Sequence, residues 1–257
     1  METLLYVESL TVSFDGFHAL DNLNLILERG ERIRILIGPN GAGKTTLFDV
    51  LTGSVSPTGG RLLFRDTVNL LGLTEHSIAN LGISRKFQTP SIFPGHSVFE
   101  NMVLAAGAKR FRATVATRSR SIDRDRLRAA LDQVGLLAHA AAPAGTLSHG
   151  QKQWLEIAML LVEDPTLLLL DEPVAGMTRP EREKTAALLD AIVDQTACSI
   201  VLIEHDMEFV RQVARRGHKV TVLHEGTVLS EGALERVQAD PRVVEAYLGR
   251  SRVTVAG

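Results

Sequence analysis

One cysteine, Cys198, stands in a chain of 257 residues, which excludes an internal disulfide framework and a cysteine-built metal site. A surplus of either charge is also missing. With 28 Lys and Arg against 30 Asp and Glu the formal charge is −2, so no global field attracts polyanions. Long apolar runs are absent as well. Leu167–Leu170 stops at Asp171-Glu172-Pro173 and Ile157–Val162 at Glu163-Asp164-Pro165, far short of the roughly 20 residues that span a bilayer. Met1-Glu2-Thr3 lacks the basic and apolar parts of a secretory leader, so a soluble, cytosolic chain is expected. What is present is ordinary globular composition, 45% hydrophobic and 23% charged, long enough for one large domain or two small ones.

The first third reads as strands. Leu4–Phe14 is apolar-rich, Leu23–Leu27 alternates, and Arg32–Ile37 sets Ile33, Ile35 and Ile37 at a period of two. A glycine cluster, Gly38–Gly43, follows, and then a helix is expected over Lys44–Leu51. Pro57-Thr58-Gly59-Gly60 turns the chain into a short strand, Arg61–Phe64. Helix signals dominate from about Thr74 to Leu161. After that, apolar runs at Thr166–Leu170 and Ser199–Ile203 alternate with helical stretches at Arg179–Asp194 and Asp206–Arg216. Such alternation predicts a parallel sheet with crossover helices, closed by a hairpin (Lys219–His224 and Thr227–Glu231) and a helix from Pro241.

Gly38-Pro39-Asn40-Gly41-Ala42-Gly43-Lys44-Thr45 matches G-x-x-x-x-G-K-[ST] between a predicted strand and a predicted helix. Glycines let several backbone N–H groups curl toward phosphate oxygens, and the following helix adds the positive end of its dipole. Lys44 is placed to reach the β- and γ-phosphates and the Thr45 hydroxyl to meet Mg²⁺. A plain glycine turn before a helix is the blander reading. A second chemical feature closes the apolar run Leu167–Leu170: two acids, Asp171 and Glu172, at the end of a strand where ligands gather in parallel sheets. Asp171 suits a magnesium shell and Glu172 suits polarising an attacking water, while capping of the next helix is the alternative. Ser148, with Gln151 three residues on, forms a capping box that needs no ligand; the same helix start could hold a γ-phosphate.

Taken together, Gly38–Thr45, Gln88, Leu147–Gln151, Leu167–Glu172 and His205 resemble the Walker A, Q-loop, signature, Walker B and switch-histidine motifs of ABC-type ATPase cassettes, in family order across the whole chain. The resemblance implies a P-loop α/β fold. It has a mainly parallel core sheet, an N-terminal antiparallel β part and a helical subdomain. A single domain over residues 1–257 is expected, with a catalytic core of about 1–89 and 166–257 and helices over about 90–165. It also implies ATP with Mg²⁺, and hydrolysis that energises import through separate permease subunits. Cassettes of this family pair head to tail, so a second cassette, identical or a paralogue, completes each site. By position, Gly38, Asn40, Gly41, Gly43, Lys44, Thr45 and Thr46 would hold one nucleotide. Ser148, Gly150 and Gln151 would touch the nucleotide bound to the partner. Catalysis would fall to Glu172, His205, Gln88 and Lys44, and the metal to Thr45, Gln88 and Asp171. Phe14 stands where the family stacks an aromatic on adenine, with strand packing beside Val12 as its alternative and Phe17 as a rival.

Two positions depart from the family. His149 replaces the usual signature glycine, and a side chain at the first helical position is expected to point outward and be tolerated. Thr178 stands where most members carry aspartate, which affects the usual coupling of the two sites. Phe87–Asn101 and Val244–Gly249 resemble the branched-chain amino acid importer group, and within it LSHGQKQWLE (147–156) and DEPVAGMT (171–178) are most similar to the urea-importer ATPase subunit. Urea is therefore the expected solute and branched-chain amino acids the alternative. Peripheral attachment at the cytoplasmic side of the inner membrane and an extracytoplasmic solute-binding protein follow from that resemblance. A cassette acting on nucleic acid or ribosomes is the remaining rival. It is disfavoured because only 104 positions separate Lys44 from Ser148, leaving no room for a long coiled coil, and because a second phosphate loop is absent. The basic stretch Lys109–Arg128, with Phe111 its only aromatic, reads as a solvated helical face rather than a nucleic-acid patch, with lipid headgroups a third possibility.

Overall fold

A turn of two residues with positive φ, Asp15 (48°) and Gly16 (87°), starts the architecture by joining β1 (Thr3–Phe14) to β2 (Phe17–Glu28). Left-handed conformation at both positions matches the twist of the flanking strands. The computed structural model describes residues 2–86, 92–113 and 123–248. It divides into two compact units, Met1–Ile83 with Ser199–Gly257, and Ser84–Cys198.

In the first unit β1 also pairs antiparallel with β4 (Gly59–Phe64), and β5 (Val68–Asn69) extends that sheet in the order β2-β1-β4-β5. A second set of strands surrounds β3 (Ile33–Ile37). It runs parallel to both β8 (Ser199–Ile203) and β9 (Lys219–His224), and β10 (Thr227–Gly232) lies antiparallel on β9. All five β3 residues are buried, so both faces of this strand are covered. That includes Arg34. Its guanidinium donates to the Thr221 hydroxyl (3.0 Å) and the Ile26 carbonyl (3.1 Å) and is ion-paired with Glu31 and Glu231. Helices α1 (Lys44–Thr52), α2 (Glu75–Asn80), α7 (Met207–Ala214), α8 (Leu234–Gln238) and α9 (Pro241–Leu248) complete the unit.

The second unit holds most of β6 (Ile83–Lys86) beside β7 (Leu167–Asp171), and helices α3 (Val98–Ala113), α4 (Arg124–Gln133), α5 (His149–Leu161) and α6 (Arg179–Gln195). β7 is buried at every residue. Trp154 on α5 donates through its indole N–H to Thr185 Oγ1 on α6 at 2.9 Å, and Lys184 lies 4.2 Å over the same ring. Cys198 is buried beside β7, and burial pushes its thiol up to about 12.

The architecture is α/β with an antiparallel part, as the sequence implies. Several elements differ from expectation. β2 begins at Phe17 rather than Leu23, β6 interrupts a stretch that reads as helical, and β5 and α8 are additional. Among the described residues no helix is long and apolar enough to cross a membrane. Arg34→Ala is expected to lower the unfolding free energy by about 3 kcal/mol, because Glu31 and Glu231 would keep their charges without the guanidinium between them. Equilibrium urea unfolding of the variant and the parent checks this.

Candidate active site

Most helices here carry a side-chain cap at the N-terminus. Thr74, Asp123 and Asp206 accept from first-turn amides of α2, α4 and α7. Helix α1 is different: Gly43 precedes it, no side chain caps it, and its first turn holds no acid. Its orphan donors and its dipole therefore favour an anion. The loop leading in is held tightly. A Cβ at Gly38 (φ +153°) would lie 2.2 Å from the Leu223 carbonyl oxygen, and one at Gly43 (φ +96°) 2.6 Å from that of Ala19. Only glycine fits at either place. Lys44 bends back so that its ammonium donates to the Gly38 and Pro39 carbonyls at 2.8 and 2.9 Å, over the loop it follows. Asn40, Gly41 and Thr45 are exposed, and Thr46 half-buried, on the same turn and first helical residues.

His205 comes to the same place in the first unit. A cavity of ≈ 290 Å³ is lined by Gly38, Pro39, Asn40, His205, Ala246 and Tyr247. Glu204, almost fully buried, sets the turn: its carboxylate accepts from the His205 and Asp206 amides at 3.1 and 3.4 Å. Ala246 and Tyr247 come from α9, and burial raises the Tyr247 phenol. Phe14 and Phe17 pair across the hairpin end, 48% and 66% exposed, so neither is packed away in the core. Gln88 lies outside the described residues, as does the central part of the basic stretch. Of that stretch, Arg124 lies over the Phe99 ring, Arg126 pairs with Asp164 and Arg128 with Asp125.

The acid pair and the signature turn belong to the second unit. Asp171 is the last residue of β7, only 2% exposed, and the Arg85 guanidinium donates to it at 3.2 Å. Glu172 is not a further strand residue. It sits in the left-handed region (φ 45°), and its carbonyl accepts from the Ala175 amide at 3.2 Å. This angle, shared by seven other non-glycine residues among those described, turns the chain sharply at the end of β7. Ser148 caps α5 reciprocally with Gln151: the Gln151 amide donates to Ser148 Oγ (3.2 Å) and the Ser148 amide to Gln151 Oε1 (2.9 Å). Ser148 Oγ also donates to Glu181 Oε1 at 3.2 Å, and Glu181 Oε2 accepts from the Thr178 amide and hydroxyl, both at 2.9 Å. These bonds, the Thr178 amide first, lower the Glu181 carboxyl below its ordinary value. The His149 ring does not point away from the protein: its Nε2 lies 3.0 Å from the Ala175 carbonyl oxygen.

The chain and its fold find counterparts in known proteins. Residues 20–175 match the ABC transporter family model. The chain belongs to the ATP-binding cassettes of ABC transporters. It is therefore an ATPase whose hydrolysis is coupled to transport. Residues 227–252 of the cassette further match a model described as branched-chain amino acid ATP-binding cassette transporter. The cassette is 38% identical to the high-affinity branched-chain amino acid transport ATP-binding protein LivG of Escherichia coli, over 97% of this chain and 99% of the relative. Its structure resembles the ADP conformation of an ATP-binding cassette of an ABC transporter, with TM-score 0.83, 26% identity and coverage of 97% and 99%. It also resembles the dimeric post-hydrolysis state of a cassette bound to ADP and phosphate, with TM-score 0.74, 25% identity and coverage of 90% and 98%.

Several residues of the cassette's site escape a reading of the sequence. Arg85 and Lys86 pair with Asp171 and Glu156 (3.2 and 3.4 Å) inside the second unit, and α9 reaches the phosphate loop. Glu181 carried one usable signal, its spacing of three from Thr178, the same interval as a capping box. Thr178→Ala is expected to cost about 1 kcal/mol of stability and to move the Glu181 carboxyl back toward its ordinary value. Because the folded value is lowered, the Glu181 contribution is present above the unfolded value and lost as pH falls through the folded one. The variant should therefore show a smaller loss of stability on acidification, read by unfolding at neutral and acid pH.

Proposed function

We propose that this cassette is the ATP-hydrolysing subunit of an importer for branched-chain amino acids. The match of residues 227–252 to the branched-chain cassette model carries this reading, since that segment lies outside the motifs that cassettes share. LivG of Escherichia coli, named for the same transport, supports it along the chain. A second reading, urea as solute, rests on 147–156 and 171–178, including Thr178 in the loop after the acid pair. The solute never touches this polypeptide in either case. Deleting the gene and measuring uptake of labelled leucine and labelled urea separates the two: loss of leucine uptake alone supports the main reading, and loss of urea uptake alone replaces it.

The roles proposed for the residues follow from their chemistry. Loop amides and Lys44 neutralise the charge of the phosphates, and Gly38, Asn40, Gly41, Gly43 and Thr46 shape the cradle. Glu172 polarises the water, His205 faces the γ-phosphate, and Gln88 senses both the metal and the water. Phe14 stacks on the adenine. Mg²⁺ would supply charge stabilisation to the phosphates when bound. The donors proposed for it, the exposed Thr45 hydroxyl, the Asp171 carboxylate and the Gln88 amide, are hard oxygens of the kind Mg²⁺ takes. Among the described residues no three His, Cys, Asp or Glu cluster as metal ligands, so the remaining ligands are those of the nucleotide and water. We read residues 1–257 as one cassette with core segments of about 1–89 and 166–257 and helices over about 90–165. Its partners are permease subunits and a second cassette, identical or paralogous, with Ser148, Gly150 and Gln151 facing the partner's nucleotide. It works peripherally at the cytoplasmic face of the inner membrane, served by an extracytoplasmic solute-binding protein, and nucleic acid has no part.

Glu172→Gln is expected to bind ATP with unchanged affinity and to turn it over about a hundredfold or more slowly, the typical loss of a general base. Nucleotide titration with steady-state phosphate release checks this, and wild-type turnover would remove Glu172 from the role.

A further inference from the structure

The second unit joins its serine turn to the loop after the acid pair at two places, one through His149 and one through Thr178, the two residues that depart from the family pattern. A carbonyl oxygen can only accept, so in the 3.0 Å contact between His149 and Ala175 the ring Nε2 is the donor, with the Gln153 side-chain amide 3.4 Å from the same nitrogen. The ring lies along the loop at its turn: a Cβ built on Gly176 (φ +73°) would stand 3.5 Å from the His149 Nε2 and Cδ2 atoms. The other link runs through Glu181, which accepts from the Ser148 hydroxyl on one oxygen and from Thr178 on the other. Gly150 makes room for that carboxylate, since a Cβ there would meet Glu181 Oε1 at 2.6 Å. Residues 148–150 and 175–178 are thereby bridged at both ends of the loop. A glycine at 149 has no side chain to make the first link.

We propose that His149 is a positioning residue that fastens the serine turn to the 172–178 loop through Nε2–H···O=C of Ala175, so that Ser148 and Glu172 are presented as one piece. Glu172 opens this loop in a left-handed conformation and its carbonyl holds the Ala175 amide. Fixing Ala175 from the outside therefore restrains the turn that aims the acid. The inference rests on the reading that Ser148 and Glu172 act on nucleotide. It adds that their alignment is maintained by a side chain absent from the usual pattern.

The test uses the full chain with His149→Ala and His149→Gln, the latter keeping an amide N–H that can reach Ala175. Amide hydrogen exchange over residues 173–178 and steady-state ATPase kinetics are measured for each. His149→Ala should exchange about tenfold faster in that loop and lose about tenfold in kcat, with KM changed by less than about twofold, while His149→Gln restores both. A general packing role predicts instead that the two variants are equally impaired, or that stability falls with kcat. Unchanged loop exchange, unchanged kcat in His149→Ala, or absence of rescue by glutamine each overturns the proposal. Failure of the underlying reading looks different: the unmodified chain would then show no ATP turnover sensitive to Glu172→Gln.

Discussion

A single guanidinium anchors the strand from which the phosphate loop springs. Arg34 sits at the second position of β3, fully buried, and reaches Glu31 before the strand, Thr221 on β9, Glu231 on β10 and the Ile26 carbonyl on β2. A charge so placed is costly unless every donor is met, and here its partners come from four separate segments. The arrangement specifies geometry more than it adds stability. It sets how β2 and β10 approach β3. The loop at the far end of β3 then meets the Leu223 and Ala19 carbonyls at distances only glycine tolerates. The cradle is thus shaped from below by a salt-bridged strand and from the sides by neighbouring backbone.

Much of this was legible in the amino acids alone, and for identifiable reasons. The strand, loop and helix over 33–52 could be read because glycine spacing and lysine position encode a phosphate cradle directly. β7 could be read because strands buried on both faces are continuous apolar runs. β2 is longer than its alternating stretch because β1 and β2 carry register shifts near Val7, Leu10 and Val12. Asn22 also takes positive φ, which breaks the period of two. β6 carries little apolar signal because Ser84 and Lys86 are buried yet polar and the Arg85 side chain is nearly covered, with charges answered by Asp171 and Glu156, about 70 or more positions further along the chain. No local pattern can announce a partner so distant.

The site shows the same division. Residue types at fixed spacing identified the loop, the acid pair and the capped serine, since each is a local motif. What spacing could not show was how neighbours hold them. The β7 acids part company at the strand end, one buried against Arg85 and the other on a left-handed turn. His149 reads as a surface substitution until the fold brings Ala175 within 3.0 Å. The C-terminal helix α9, a plain amphipathic segment on paper, supplies Ala246 and Tyr247 to the cavity that His205 shares with the loop.

The lone thiol has a practical corollary. Cys198 is buried, and with its ionisation pushed up to about 12 almost no thiolate exists near neutrality. Thiol-directed alkylating dyes are therefore expected to react slowly with it in the folded chain. A cysteine introduced at an exposed position such as Phe17 would be the one accessible thiol, so the native background suits site-directed labelling.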